Sequence, residues 1–225
     1  MGDLHRLIAF DLDGTLVDSR RDLADSANEL IVELGGTPLA EDDIARMVGE
    51  GAAMLVRRAM RAARLTSADV AVALRRFLEI YDTRLLRNTR MYPAMEDAVR
   101  FARTIGSVAV LTNKPLAPSE QILQGLGVRD LFDTVVGGDG PLGRKPDPAA
   151  LLALMQTSVA TPETTILVGD SAIDHETAVR ANVRCCLVSF GFGYATFPTE
   201  RLRAEDRVAR DAGELRAVLA DFAKC

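Results

Sequence analysis

Two aspartates, Asp11 and Asp13, end the run Leu7-Ile8-Ala9-Phe10-Asp11-Leu12-Asp13-Gly14-Thr15. The apolar residues before them read as a buried strand. Carboxylates at the end of such a strand are costly unless a cation or a reaction uses them. Strand alternation directs Asp11 and Asp13 to the same side and turns Leu12 away. Gly14 permits a tight turn, and Thr15 and Ser19 are placed to cap the next helix. One carboxylate can act as nucleophile and the other as general acid and base, with Mg2+ offsetting their charge.

Three further segments place reactive residue types after apolar runs. Thr112 and Asn113 follow 108–111 and offer a hydroxyl and a carboxamide to phosphate oxygens. Lys145 lies in Gly143-Arg144-Lys145-Pro146-Asp147-Pro148, where two prolines stiffen the loop and hold the ammonium in place. It is one of only three lysines, with Lys114 and Lys224, so a chance surface lysine is a weaker reading here. Asp170 and Asp174 follow 165–168, and their oxygens suit Mg2+. Each segment alone also reads as a capping turn.

The elements that must position these residues alternate. Strands are predicted at 7–10, 108–111, 134–136, 165–168 and 185–188, with helices at 94–104, 117–126, 148–156 and 176–181. That rhythm predicts an α/β fold: a Rossmann-like parallel sheet with helices on both faces. Such sheets bind ligands at the carboxyl ends of their strands, so the four segments can share one crevice. Residues 18–89 break the rhythm. They read as helix interrupted at Gly35-Gly36-Thr37-Pro38, Gly49-Glu50-Gly51 and Thr66-Ser67, with Leu23, Ala27, Leu30, Ile31 and Leu34 at helical spacing. Residues 18–89 are therefore read as an all-helical insert after the first strand of a core formed by 1–17 and 90–225.

Composition narrows the classes. A chain of 225 residues, 48% hydrophobic and 26% charged, is an ordinary globular protein. A net charge of -5 leaves no basic footprint for nucleic acid. No apolar stretch is long enough for a membrane span, and a strand begins too early for a signal peptide. Cys185, Cys186 and Cys225 show no metal-ligand spacing and fit a reducing, cytoplasmic setting. A monomer or a homodimer is expected.

In this order, the four segments resemble motifs I to IV of the haloacid dehalogenase superfamily. The resemblance implies that Asp11 is phosphorylated, that Asp13 shuttles the proton and that Thr112 binds the transferring phosphoryl group. It makes Lys145 a catalytic cation and Mg2+ the cofactor. Asp11 then gives the metal a carboxylate oxygen and Asp13 its backbone carbonyl. Asp170 is a direct ligand, and Asp174 acts through water or by orienting Lys145. An insert at this position is, in that family, a helical cap that closes over the site.

Asp13 argues against a haloalkanoate dehalogenase, which usually lacks the second aspartate. A phosphonatase needs a lysine in the cap, and no lysine precedes Lys114. Within the superfamily the chain most resembles the phosphoglycolate phosphatases, through Val48-Gly49-Glu50-Gly51-Ala52, Leu55-Val56-Arg57-Arg58-Ala59, Arg90-Met91-Tyr92-Pro93 and Gly191-Phe192-Gly193-Tyr194. The resemblance implies a small phosphorylated metabolite as substrate. Gly49 and Gly51 would approach its leaving group, and Arg58 would attract a carboxylate on it. Glu50 is a departure, because relatives carry a neutral residue there. Its carboxylate would repel an acidic substrate unless Arg57 or Arg58 compensates. His175 reads as an exposed helix residue. The alternatives are a phosphomutase related to β-phosphoglucomutase and a non-catalytic binding protein on the same fold.

Overall fold

The uninterrupted apolar run at the start of the chain forms β1 (Leu7–Phe10), which is buried throughout. The computed structural model describes residues 5–65 and 69–224, so the break expected at Thr66-Ser67 and the thiol of Cys225 lie outside the described residues. After β1 come the short β2 (Val17–Asp18) and the helices α1 (Arg20–Glu33), α2 (Glu41–Ala45), α3 (Ala52–Ala62) and α4 (Val70–Asp82). β3 (Arg90–Met91) then returns antiparallel to β2. The chain continues through α5 (Met95–Arg103), β4 (Ser107–Leu111), α6 (Leu116–Gly125), β5 (Thr134–Val136) and α7 (Ala149–Thr157). It ends with β6 (Thr165–Gly169), α8 (Ala172–Arg180), β7 (Arg184–Val188), β8 (Arg207–Ala209) and α9 (Ala212–Phe222).

Six strands form a parallel sheet in the order β5-β4-β1-β6-β7-β8. Alternation along β1 sorts the core. Leu7 and Ala9 pack with Leu151 and Leu154 of α7 and Ala178 of α8. Ile8 and Phe10 face the other way, towards Val99 of α5, Ile122 of α6 and Leu219 of α9. Both faces are therefore covered, as a parallel sheet requires. β1 is the point at which the strand order reverses, with β4 on one side and β6 on the other. Phe10 pairs with Val110 and with Val168, so the chain just past each of these strands emerges at the same level.

Three short strands, β2, β3 and β8, are not expected from the sequence, because β2 and β3 have two residues each and β8 opens on charged Arg207, so none shows an apolar run. α8 also starts at Ala172 rather than 176. Ser171 and Asp174 form a capping box there, each side chain receiving the other's backbone N–H.

The helices between β2 and β3 pack Leu23, Ala27, Leu30, Phe77 and Ile80 into the same apolar cluster as Phe10. Their two ends are tied together by Asp22. Its carboxylate, on a residue 1% exposed, accepts bonds from the backbone N–H groups of Asn88 and Thr89, from Asn88 Nδ2 and from Thr89 Oγ1, all at 2.8 to 3.0 Å. Burial alone would raise this carboxyl, and the bonds from Asn88 and Thr89 outweigh it and hold it below the ordinary carboxylate value. A depressed folded-state pKa gives stability that is present above the unfolded value and is lost as pH falls through the folded one. Asp22→Asn should therefore cost about 2–3 kcal/mol at neutral pH. In denaturant titrations the deficit should shrink as pH drops below about 4. A deficit independent of pH would contradict this account of the clamp.

Candidate active site

Asp11 is the first residue after β1, and its backbone N–H donates to Val168 of β6 at 2.8 Å. That bond sets Asp11 beside the end of β6, where Asp170 is the next residue. Asp11, Asp170 and Asp174 each offer a carboxylate oxygen within 4.8 Å of the others, and all three residues are buried. Lys145 is 5% exposed, and its Nζ lies 2.7 Å from Asp11 Oδ1 and 2.6 Å from Asp174 Oδ1. The other oxygen of Asp174 accepts from the backbone N–H groups of Asp170 and Ser171 and from Ser171 Oγ. Asp174 is thus fully engaged in capping α8 and fixing Lys145.

Asp170 sits in a cradle of glycines. A Cβ on Gly14 would fall 2.0 Å from Asp170 Oδ2, and one on Gly191 would fall 2.3 Å from Asp170 Cβ. Gly14 also has a φ of +87°, a conformation that disfavours other residues. Gly193 N–H donates to Asp170 Oδ2 at 2.7 Å.

Asp13 is held by both oxygens. Ser19 Oγ donates to Oδ1 at 2.6 Å, and Lys114 Nζ lies 2.9 Å from Oδ2. The sequence suggests Ser19 as a cap for the next helix; it makes no capping bond and holds Asp13 instead. Lys114 also donates to Tyr81 Oη at 2.9 Å. The expectations from sequence miss Lys114, Tyr81 and Gly193. The scarcity of lysine that points to Lys145 applies equally to Lys114.

The charges do not balance. Asp11, Asp13, Asp170 and Asp174 bring four carboxylates, and Lys114 and Lys145 bring two ammonium groups, a surplus of two negative charges. Burial pushes the Asp11 carboxyl up to about 7, with Lys145 pulling it down and Asp174 and Asp13 pushing further up. Burial, then Asp174 and Asp11, push Asp170 well above the usual range. For Lys145, burial opposes the charge, and Asp11 and Asp174 more than offset it, so the ammonium is held above its ordinary value. An all-oxygen donor set with this surplus fits one hard divalent cation.

A cavity of about 40 Å³ opens over these groups. Asp11, Asp13, Thr112, Asn113, Gly49 and Gly51 line it, with Lys114 and Tyr81. Among these, Asn113 departs from its expected use. Its Nδ2 donates to the carbonyls of Gly49 and Lys145, both at 2.9 Å, so it ties two loops together rather than facing a phosphate. Thr112 Oγ1 accepts from Lys114 N–H at 3.2 Å and keeps its own hydrogen to donate. Gly51 lies close to the core, since a Cβ there would sit 3.2 Å from the Asn113 carbonyl. Ile173 closes the other side, 3.4 Å from a Cβ built on Gly49.

Arg58 is not at the cavity. It pairs with Glu50 and donates to the Met47 carbonyl at 3.2 Å, so it neutralises Glu50 instead of waiting for a substrate carboxylate. His175 is buried, contrary to the expectation of an exposed helix residue. It is 5% exposed, stacks edge-on against Phe197 and lies 3.0 Å from Asp206 through Nε2.

Comparison with known proteins agrees with this geometry. The family described as haloacid dehalogenase-like hydrolases matches residues 8–188, and the chain belongs to that family. A phosphoglycolate phosphatase of Pseudomonas putida is 38% identical over 86% of this chain and 72% of its own. One from Rhodospirillum rubrum is 41% identical over 83% of this chain and 80% of its own. The crystal structure of a predicted phosphoglycolate phosphatase from Haemophilus somnus superimposes with a TM-score of 0.87 at 28% identity, covering 95% of this chain and 97% of that one. With this family, these relatives and this site, the chain is a phosphatase. Among the described residues no helix is long and apolar enough to cross a membrane.

The charge surplus has a measurable consequence. In chelator, Asp170→Asn should unfold at a higher temperature than the unaltered protein, by about 1–2 kcal/mol in stability, because it removes a buried repulsion. A divalent cation should raise the melting temperature of the unaltered protein and leave that of Asp170→Asn nearly unchanged. An Asp170→Asn protein less stable than its parent in chelator would contradict the surplus.

Proposed function

We propose that this phosphatase is a Mg2+-dependent phosphomonoester hydrolase that carries the phosphoryl group on Asp11 and acts on 2-phosphoglycolate or another small phosphorylated metabolite. The observation that carries the reading is Asp11 itself, buried, 2.7 Å from Lys145 and beside Asp13 at a small cavity. Its relatives are named for phosphoglycolate, which supports a small phosphorylated acid as substrate.

In this reading residues 1–17 and 90–225 form the core domain, and 18–89 form the cap. Asp11 and Asp170, each with an oxygen left over, would hold Mg2+ together with the backbone carbonyl of Asp13. Asp174 orients Lys145. Mg2+, when bound, supplies charge compensation for the transferring group. A cytoplasmic setting is consistent with the buried free thiols of Cys185 and Cys186.

Asp11 attacks phosphorus in line with the leaving oxygen. The bond from phosphorus to that oxygen breaks, and Asp13 gives it a proton. Water then attacks the acyl phosphate, Asp13 takes the water's proton, and phosphate leaves with Asp11 restored. Lys145 favours the ionised form of Asp11 against burial and offsets charge on the phosphoryl oxygens. Thr112 donates its hydroxyl to the same oxygens. The loop at Gly49 and Gly51 lines the cavity and limits the access of bulk water to the acyl phosphate.

The test is phosphate release from a panel of small esters, including 2-phosphoglycolate and β-glucose 1-phosphate, with Mg2+ and with chelator. Mg2+-dependent release, strongest from 2-phosphoglycolate, is expected. A rearranged sugar phosphate without free phosphate would establish a phosphomutase instead. Lys145→Ala should lower turnover at least about 100-fold, as for loss of a preorganised charge at a reacting centre. A loss under about tenfold would remove Lys145 from the reaction.

A further inference from the structure

Lys114 lines the cavity, and in the hydrolytic steps its one part is to pair with Asp13. It is 7% exposed, and among the described residues whose side chains line the cavity only this one is positively charged. Lys145 lies behind Asp11 and is not part of the lining. Around Lys114 the wall is apolar, formed by Leu23, Val48, Leu55 and Phe77. An ammonium donates three hydrogen bonds. Asp13 Oδ2 and Tyr81 Oη, each at 2.9 Å, take two. Tyr81 belongs to α4 and stacks on Phe77 with ring centroids 5.8 Å apart, so its hydroxyl is held by the insert's own core. The Tyr81 ring also lies against the ammonium, 4.6 Å from its centroid.

We propose that Lys114, steadied by Tyr81, is the residue that selects the leaving group: it binds a carboxylate on the carbon that bears the ester oxygen. This rests on the phosphatase reading and names its substrate class, the phosphate esters of α-hydroxy acids. Spacing favours that class. Asp13 must reach the ester oxygen to protonate it, and Lys114 Nζ is 2.9 Å from the same Asp13 carboxylate. A group bound by Lys114 therefore lies next to the oxygen that leaves. In an α-hydroxy acid ester, the ester oxygen and the carboxyl carbon share one carbon, so the two ends meet two adjacent anchors. A β-hydroxy acid ester sets its carboxylate one bond further away. A neutral alkyl ester leaves the third donor of Lys114 facing apolar wall. Arg58, the other candidate for this task, is paired with Glu50 outside the cavity.

The experiment compares kcat and KM for 2-phosphoglycolate, 3-phosphopropanoate and ethyl phosphate in the unaltered enzyme, Lys114→Met and Tyr81→Phe. The unaltered enzyme should favour 2-phosphoglycolate over ethyl phosphate by at least about 100-fold in kcat/KM, the scale of one charged hydrogen bond to a buried partner. Lys114→Met should erase most of that preference, chiefly by raising KM for 2-phosphoglycolate, while any fall in kcat from loss of the Asp13 counter-ion is shared by ethyl phosphate and leaves the ratio untouched. Tyr81→Phe should reduce the same ratio more mildly and guards against a Lys114 variant that fails to fold. Parallel losses on 2-phosphoglycolate and ethyl phosphate in both variants would overturn the assignment, leaving Lys114 as a counter-ion of Asp13 alone. Equal use of 3-phosphopropanoate and 2-phosphoglycolate by the unaltered enzyme would overturn the assignment to α-hydroxy acid esters. If the unaltered enzyme releases no phosphate from any ester, the phosphatase reading falls and this assignment falls with it.

Discussion

Four carboxylates and two ammonium groups share one crevice, and most of the structure around it serves to hold them there. Like charges in a dry site repel strongly and desolvation disfavours each of them. Such an arrangement persists only where the backbone leaves no alternative. The parallel order β4-β1-β6 brings three strand ends to one level. Gly14 and Gly191 let the chain pass Asp170 more closely than any side chain would allow. The capping box of α8 fixes Asp174, and Asp174 fixes Lys145. Each of these is an ordinary device of local structure. Together they store a surplus of negative charge, which suits a divalent cation. Repulsion in the metal-free site and affinity for the loaded one have the same origin.

The helices between β2 and β3 reach this site at two places. The loop of Gly49 and Gly51 is tied by Asn113 to the loop of Lys145, so three segments meet through one carboxamide. Tyr81 of α4 meets Lys114, which meets Asp13. Neither contact is a large apolar surface. Both join polar groups. Asp22 works at the opposite end, binding the two ends of the insert to each other.

Much of this is legible in the sequence where a residue's task is decided by its immediate neighbours. Asp11 announces itself because an apolar strand precedes it, and Asp170 does so for the same reason. The strand 7–10 is read to the residue, since it is a continuous apolar run buried throughout; 134–136 also holds its expected bounds, although only Val135 of it is buried. Tasks that depend on partners far along the chain are not legible in this way. Lys114 meets Tyr81 across 33 residues, and His175 meets Asp206 across 31. Arg58 looks free for a substrate because nothing local shows that Glu50, eight residues away, faces it. Ser19 looks like a helix cap because its bond to Asp13 requires the turn at Gly14 to fold back. Local pattern supplies the reactive groups; only the fold decides which of them neutralise one another and which remain for a ligand.

The central claim is that Asp11 carries the phosphoryl group. The direct measurement is mass spectrometry of peptides from the unaltered protein, mixed with 2-phosphoglycolate and Mg2+ and quenched in acid within a single turnover. The account predicts one added phosphoryl group on the peptide that contains Asp11, absent from Asp11→Asn protein treated in the same way. A phosphoryl group on any other residue, or product formed with no labelled peptide at any time after mixing, would contradict it.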